Sequence, residues 1–156
     1  MQRITPFLWY DNRAEEAATQ YVSIFPNSSI QNVTRYAEGN HGQAGSVMTV
    51  VFKLDGQEFI ALNGGPIFSF TPAISFSVDC TTQAEVDELW ERLSEGGSTS
   101  QCGWLTDRFG ISWQVVPRVL GELIGDPDPA RAARVTKAML GMTKLDIEEL
   151  RRAHKG

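Results

Sequence analysis

Histidine and cysteine are scarce in this chain of 156 residues, which contains two of each. Imidazole and thiolate groups are the preferred protein ligands of zinc and other transition metals, so the sequence offers little material for such a site. Cys80 and Cys102 form no C-x-x-C pair, and two cysteines make no disulfide framework. This usage indicates reduced thiols and a cytoplasmic location.

Basic charge and long apolar runs are lacking as well. Lys and Arg number 14 against 19 Asp and Glu, and the net charge of −5 argues against a nucleic-acid partner. No apolar stretch is long enough to span a bilayer, and the first residues lack the pattern of a secretory signal, so no membrane association is expected. The hydrophobic content of 42% and the chain length favour one globular domain over residues 1–156.

Two stretches of the sequence resemble each other. Residues 4–25 read ITPFLWYDNRAEEAATQYVSIF and residues 72–93 read PAISFSVDCTTQAEVDELWERL. Each begins with an apolar strand that ends at an aspartate, Asp11 or Asp79, and each continues into an amphipathic helix. This likeness indicates a weak internal duplication.

The start of each predicted helix carries a cap signal. Asn12 is followed by Glu15, and Thr82 is followed by Glu85, in the spacing of a capping box. The aspartates that end the two strands are predicted to act as caps or as partners of the helix dipole.

Further strands follow each predicted helix. Residues 29–36 are predicted to form one strand, and residues 47–54 are predicted to pair with 58–62 through an Asp55-Gly56 turn. In the second half, residues 98–106 are predicted to pair with 111–116 through a turn at 107–110.

The order strand, helix, three strands therefore occurs twice. It predicts an α+β fold of two βαβββ modules, about residues 1–66 and 67–117, in a mixed sheet. Helices over 118–156 follow, one from Asp128-Pro129 to Gly141 and one over 145–153. Since each helix covers only one face of its sheet, we expect the other faces to form a cup that binds a small ligand.

Three motifs carry a resemblance to a known family: ITPFLWYDNRAEEAATQYVSIFPNS, LNGGPIFSFTPAISF and DRFGISWQVVP. They resemble the PhnB-like branch of the vicinal oxygen chelate superfamily, a branch also labelled 3-demethylubiquinone-9 3-methyltransferase-like. That superfamily includes glyoxalase I, bleomycin-resistance proteins and extradiol dioxygenases. The resemblance extends over nearly the whole chain, the C-terminal helices included, and implies a homodimer with cup-shaped sites.

The resemblance also implies where relatives hold a metal ion. The four ligand positions fall on Thr5, Ala61, Ala73 and Gln114, where glyoxalase-type relatives carry a glutamate at the last position. Alanine offers no donor, and Thr5 and a neutral Gln114 are poor ligands, so no metal and no cofactor are predicted. The lone loop histidine His41 is more typical of a solvated residue than of a ligand.

Strand alternation predicts which side chains line the cup. Ile4, Leu8 and Tyr10 are expected to pack toward the first helix, and Ile74, Phe76 and Val78 toward the second. The opposite faces give the predicted ligand pocket: Thr5, Phe7, Trp9, Asn63, Ser75, Ser77, Trp104, Ser112 and Gln114. The simpler alternative is that the aromatic residues are core or dimer contacts and the serines are small packing residues.

Aromatic walls with neutral hydrogen-bonding groups suit a planar or amphipathic organic molecule. The sequence therefore favours a metal-free binding protein, with no catalytic residue assigned. Two alternatives stay open. One is an enzyme of the superfamily with a non-standard metal site involving His41 or Glu58, or a methyltransferase as the family label implies, although no glycine pair precedes a helix. The other is a dimeric scaffold.

Overall fold

The computed structural model describes residues 2–39 and 42–156. Within them the chain divides into two compact units, one that ends at Phe70 and one that begins at Thr71. Each unit contains a strand, a helix and three further strands, in that order, and the second unit continues into three helices. No helix of the described ranges is long and apolar enough to cross a membrane.

The first unit is a four-stranded mixed sheet covered by one helix. Its strands stand in the order β1-β4-β3-β2, with β1 parallel to β4 and the other pairs antiparallel. Its elements are β1 (Phe7–Tyr10), α1 (Ala14–Ile24), β2 (Ser29–Arg35), β3 (Val47–Leu54) and β4 (Gln57–Asn63).

The hairpin between β3 and β4 confirms the turn prediction. Asp55 and Gly56 have φ of +48° and +82°, as a type I′ turn requires. One face of the sheet is buried under α1, where Tyr21 lies against Phe52 and Val50 is fully enclosed. The core of this unit therefore lies between the helix and the two central strands.

The second unit repeats the arrangement. Its strands stand in the order β5-β8-β7-β6, with β5 parallel to β8. The elements are β5 (Ser75–Cys80), α2 (Gln83–Ser94), β6 (Ser98–Thr99), β7 (Trp104–Thr106), β8 (Ser112–Pro117), α3 (Arg118–Ile124), α4 (Pro129–Leu140) and α5 (Ile147–Lys155). The predicted α+β fold of two βαβββ modules with C-terminal helices is confirmed.

One predicted strand is wrong in detail. Residues 98–106 do not run as a single strand; they form β6 and β7, which fold back on each other so that Ser98 pairs with Thr106. Cys102 and Gly103, both at positive φ, make the reversal between them. A left-handed conformation at a cysteine has no sequence signature, which explains the error.

The helix caps agree with the sequence in the second unit and differ in the first. Thr82 Oγ1 accepts a hydrogen bond from the Glu85 amide at 3.2 Å, as predicted. At the predicted start of α4, Asp128 Oδ1 accepts from the Ala130 amide at 3.0 Å. The predicted cap Asn12 is wrong, because the N-cap residue of α1 is Arg13. The oxygen that accepts from the first turn of α1 belongs to a distant residue, described below.

Candidate functional site

Five predicted pocket residues share one face of the second sheet, which we call the polar face: Ser75, Ser77, Trp104, Ser112 and Gln114. The strand register places Ser75 beside Ser112, Ser77 beside Gln114, and Trp104 beside Gln114 on the other side. The alternate residues Trp113 and Val115 are buried on the helix side, as the period-2 pattern predicts. The shared face is thus as expected, and the ligand role of these side chains stays a prediction.

Hydrogen bonding on the polar face is only partly satisfied. Gln114 Nε2 donates to Ser75 Oγ at 2.9 Å, which fixes the amide across two parallel strands. Ser112 is 2% exposed, and its buried hydroxyl has no hydrogen-bond partner among the described residues. Since a buried hydroxyl without a partner costs free energy, a group that bonds to it would stabilise this face.

The carboxyl end of β5 carries a charged pair. Asp79 Oδ2 accepts from Arg118 Nη2 at 2.6 Å. Of the two roles predicted for this aspartate, that of a cap is wrong, because the N-cap residue of α2 is Thr82, and that of a partner of the helix dipole stays a prediction. The Asp79 carboxylate raises the pKa of Arg118 above its usual range. Both side chains are more than half exposed, so the pair orients α3 and adds little stability.

Phe7 and Trp9 lie on the face of the first sheet opposite α1. In register, Phe7 is beside Ile60 and Trp9 is beside Leu62, so the part of this face that β1 and β4 form there is apolar. The Trp9 indole already donates to the Gly65 carbonyl oxygen at 2.9 Å, and Phe68 meets its ring edge-on at 5.0 Å between centroids. Trp9 is therefore held by its own loop, and its ring is presented as apolar surface.

Asn63 is placed on the wrong face by the sequence prediction. It stands in register with Tyr10, on the helix side, where its Oδ1 accepts from the Ala14 amide at 2.8 Å. Its Nδ2 donates to the Val47 carbonyl oxygen at 3.1 Å. This amide thus caps the first turn of α1 and ties it to β3, which is a structural role.

Three further facing predictions need correction. Ala61 is fully buried on the helix side beside Leu8, so it does not share a face with Trp9. Ile4 and Ile74 were expected to pack toward the helices, but they are 88% and 73% exposed. Both precede their strands, where alternation no longer decides which way a side chain points. Thr5 also precedes β1 and is half-buried.

The first unit holds a cavity of about 530 Å³ that the sequence analysis missed. It lies at the carboxyl ends of the parallel strands β1 and β4, beside the start of α1, where ligand sites of α/β sheets commonly occur. The run Asp11-Asn12 with Glu15 at a strand-to-helix junction was the available signal. The lining residues are Asp11, Asn12, Glu15, Glu16, Tyr36, Gly42, Gln43, Ser46, Val47, Asn63, Gly64 and Gly65.

The donors present do not fit the metal that the superfamily implies. Thr5 and Gln114 are neutral, Ala73 has no donor, and the residue that shares the face of Trp9 on β4 is Leu62. In the described ranges, no three His, Cys, Asp or Glu side chains are grouped to hold a metal ion. His41 lies outside the described residues.

The glycine pairs do not form a methyl-donor site of the doubly wound type. Gly64-Gly65 follow β4 and lead into a loop, while Gly96-Gly97 lie between α2 and β6. The usual S-adenosylmethionine site needs a glycine-rich turn from a strand into a helix, and both sheets here are mixed.

Cys80 is a core residue. It is fully buried, and that burial, with the charges of Glu85 and Asp79, raises its pKa to about 11.

Because only the thiolate reacts, we expect Cys80 in a Cys102→Ser variant to react with iodoacetamide at pH 8 about a hundredfold more slowly than in the urea-unfolded chain. Equal rates in the two states would show that Cys80 is accessible and ionised normally.

Two βαβββ units with matching sheet orders define the chain as a protein of the vicinal oxygen chelate fold, the fold of glyoxalases, bleomycin-resistance proteins and dioxygenases. It belongs to the PhnB-like family, because the family model described as 3-demethylubiquinone-9 3-methyltransferase matches residues 2–116. The family resemblance inferred from the motifs is thereby confirmed. No protein of curated function is significantly similar to the chain.

Solved structures share the fold. A Bacillus cereus PhnB protein, named as a candidate 3-demethylubiquinone-9 3-methyltransferase, is 37% identical with a TM-score of 0.69 over 74% of this chain and 99% of its own. Protein PA1353 from Pseudomonas aeruginosa is 20% identical over 75% and 98% of the two chains, with a TM-score of 0.63. The fosfomycin resistance protein FosX of Listeria monocytogenes shares the fold at 16% identity and a TM-score of 0.52, over 78% and 97%.

The match also corrects one expectation. The resemblance inferred from the motifs includes the C-terminal helices, but the family model ends at Val116. Helices α3 to α5 thus lie beyond the matched region.

Proposed function

We propose that this protein binds a small organic molecule on the polar face of its second sheet, without a metal ion. The observation that carries the proposal is the buried hydroxyl of Ser112, next to the Gln114–Ser75 hydrogen bond, which has no hydrogen-bond partner in the part of the chain that the structure describes. A ligand with a hydrogen-bonding group would supply the partner that this hydroxyl lacks once a neighbouring side chain shifts.

The chemistry of the face defines the class of ligand. Serine hydroxyls and a glutamine amide donate and accept without charge, and the half-buried Trp104 offers an aromatic surface beside them. The Asp79 carboxylate at the end of β5 is paired with Arg118. We therefore infer a neutral, planar or amphipathic molecule with polar groups along one edge.

Gln114→Ala tests this proposal. A thermal-shift screen of aromatic metabolites and antibiotics identifies a ligand, and calorimetry with that ligand is then repeated on the variant. We expect about fivefold weaker binding, since one hydrogen bond is worth about 1 kcal/mol, and a small change in unfolding free energy. Gln101→Ala, an exposed glutamine in the loop before β7, is the matched control. Ready unfolding of Gln114→Ala would contradict the proposal, because Gln114 would then be structural.

The family name favours methyl transfer as a second candidate. Calorimetric titration with S-adenosylmethionine tests it directly, and the glycine pairs described above predict no binding. The other enzyme hypothesis is a non-standard metal site. Elemental analysis of tag-free protein tests it, because this hypothesis requires a stoichiometric transition metal.

We further propose that the binding form is a homodimer in the cytoplasm. Phe7 is 56% exposed on the apolar face of the first sheet, beside Ile60, and such a surface favours association. Both cysteines are free, which supports a reducing compartment. Sedimentation equilibrium is expected to give twice the chain mass of 17.3 kDa, and Phe7→Ser is expected to shift the protein toward monomer. A wild-type monomer at micromolar concentration would contradict this.

A further inference from the structure

Residues 118–156, here called the C-terminal extension, fold back onto the second unit. They begin where the family match ends and build a small core of their own. That core contains Leu120, Val135, Met142, Leu145 and Leu150. Since the extension belongs to the same compact unit as the polar face, its contacts within that unit show how it acts on the face.

Gln83, in the first turn of α2, holds the connection between α4 and α5. Its Nε2 donates to the Leu145 carbonyl oxygen at 3.0 Å, and its Oε1 accepts from the Ile147 amide at 2.8 Å. An amide side chain that engages both backbone groups imitates the pairing of two strands. Lys144 adds an ion pair with Asp87 at 2.8 Å.

The anchored connection reaches the loop between β6 and β7. The Cys102 amide donates to the Met142 carbonyl oxygen at 2.9 Å, and the Gly103 amide donates to that of Thr143 at 2.8 Å. Cys102 has a φ of +59°, which is unfavourable for a residue with a Cβ. The two hydrogen bonds offset that cost and hold the loop in this conformation.

Gly103 connects the C-terminal extension to strand β8 of the polar face. Its carbonyl oxygen accepts from the Val115 amide at 2.8 Å, so the residue is bonded to the extension on one side and to β8 on the other. A Cβ there would lie 2.7 Å from the Val115 oxygen and 3.0 Å from Leu145 Cδ1, so only glycine fits. The next residue, Trp104, is the register partner of Gln114.

We propose that the C-terminal extension is a positioning element for the polar face: through Cys102 and Gly103 it fixes Trp104 beside Gln114. Gln83 and Leu145 are its positioning residues. The consequence for ligand selection rests on the proposed function. If the ring of a ligand packs on Trp104, the extension influences which ligands bind, because it sets the position of that side chain. The positioning itself is measured without any ligand.

The test uses the full chain labelled with 5-fluorotryptophan, in which Trp9, Trp90, Trp104 and Trp113 give separate fluorine resonances assigned by single Trp→Phe variants. Gln83→Ala removes both bonds to the connection. We expect it to shift or broaden the Trp104 resonance, and to leave that of Trp9, in the first unit, unchanged. Amide exchange at residues 102 and 103 is expected to become more than about tenfold faster.

Glu88→Ala is the matched control, because Glu88 lies on the same helix and its ion pair with Arg92 is long at 3.8 Å. Lys144→Ala, a milder change, should move the same resonance by a smaller amount. An unchanged Trp104 resonance in Gln83→Ala overturns the proposal, and so does a joint collapse of all four resonances, which would make the extension a general stabiliser. A failed ligand screen together with the expected Trp104 change would overturn the proposed function alone.

Discussion

Asp107→Ala is expected to lower the free energy of unfolding by about 3 to 5 kcal/mol, because one carboxylate serves three buried or half-buried donors. Asp107 is 5% exposed, and its Oδ1 accepts from the amides of Phe109 and Ile111 at 2.9 and 3.0 Å. Its Oδ2 accepts from the Trp113 indole at 2.8 Å. Alanine would leave these N–H groups without this acceptor. It would also remove the side chain that organises the turn before β8. Urea unfolding followed by circular dichroism measures the loss.

Asp107→Asn separates the parts of this effect. The asparagine oxygen can still accept from the two amides, while its nitrogen would face the Trp113 donor, so we expect about half the loss. Asp146→Ala is the control, since its side chain accepts a single exposed amide at the start of α5. If Asp107→Ala unfolds at the same urea concentration as the wild type, the carboxylate does not organise this turn.

This turn illustrates what the sequence could predict. The residues Asp107 to Gly110 mark a reversal by their local chemistry alone, and the turn forms there, with the Gly110 amide bonded to the Asp107 carbonyl oxygen at 3.0 Å. The bond to Trp113 could not be predicted, because it depends on how β8 lies against the turn. The local backbone conformation can therefore be predicted from the sequence, whereas the hydrogen-bond partner of a buried carboxylate cannot.

The direction of side chains on the strands could likewise be predicted at some positions and not at others. Alternation correctly places Gln114 with Ser75, since both lie within regular strands with one buried face. It fails at Ile4 and Ile74, which precede their strands and are exposed. It also fails at Asn63, because the face of β4 that meets α1 depends on how β4 lies beside β1, and no local signal fixes the register of that parallel pair.

The cavity in the first unit and the anchor at Gln83 were missed for a related reason. Both bring together residues from segments far apart in the chain, as when Gln83 bonds to Leu145 and Ile147. A glutamine at the start of a helix is unremarkable by composition. Its role follows only from the contact between α2 and the C-terminal extension.

Asn63→Ala is expected to destabilise the protein by about 2 to 3 kcal/mol, which is a larger effect than its predicted place in the ligand pocket would give. The change removes the acceptor for the Ala14 amide at the start of α1 and the donor to the Val47 carbonyl oxygen. Both backbone groups then lose their partner, and α1, which covers the first sheet, loses its link to β3. Thermal and urea unfolding measure the loss.

Two further variants decide between the structural role and a ligand role of Asn63. Asn63→Asp keeps the acceptor, in a charge state that the positive end of α1 favours, and loses only the donor, so we expect a loss of about 1 kcal/mol. Asn32→Ala, an exposed asparagine on β2 of the same sheet, should change stability by less than about 0.5 kcal/mol. Asn63→Ala could instead be as stable as the wild type and fail to bind the ligand found in the screen. That result would show that Asn63 belongs to the binding site. Loss of stability in the order Ala, Asp, wild type would instead show that the amide serves the fold.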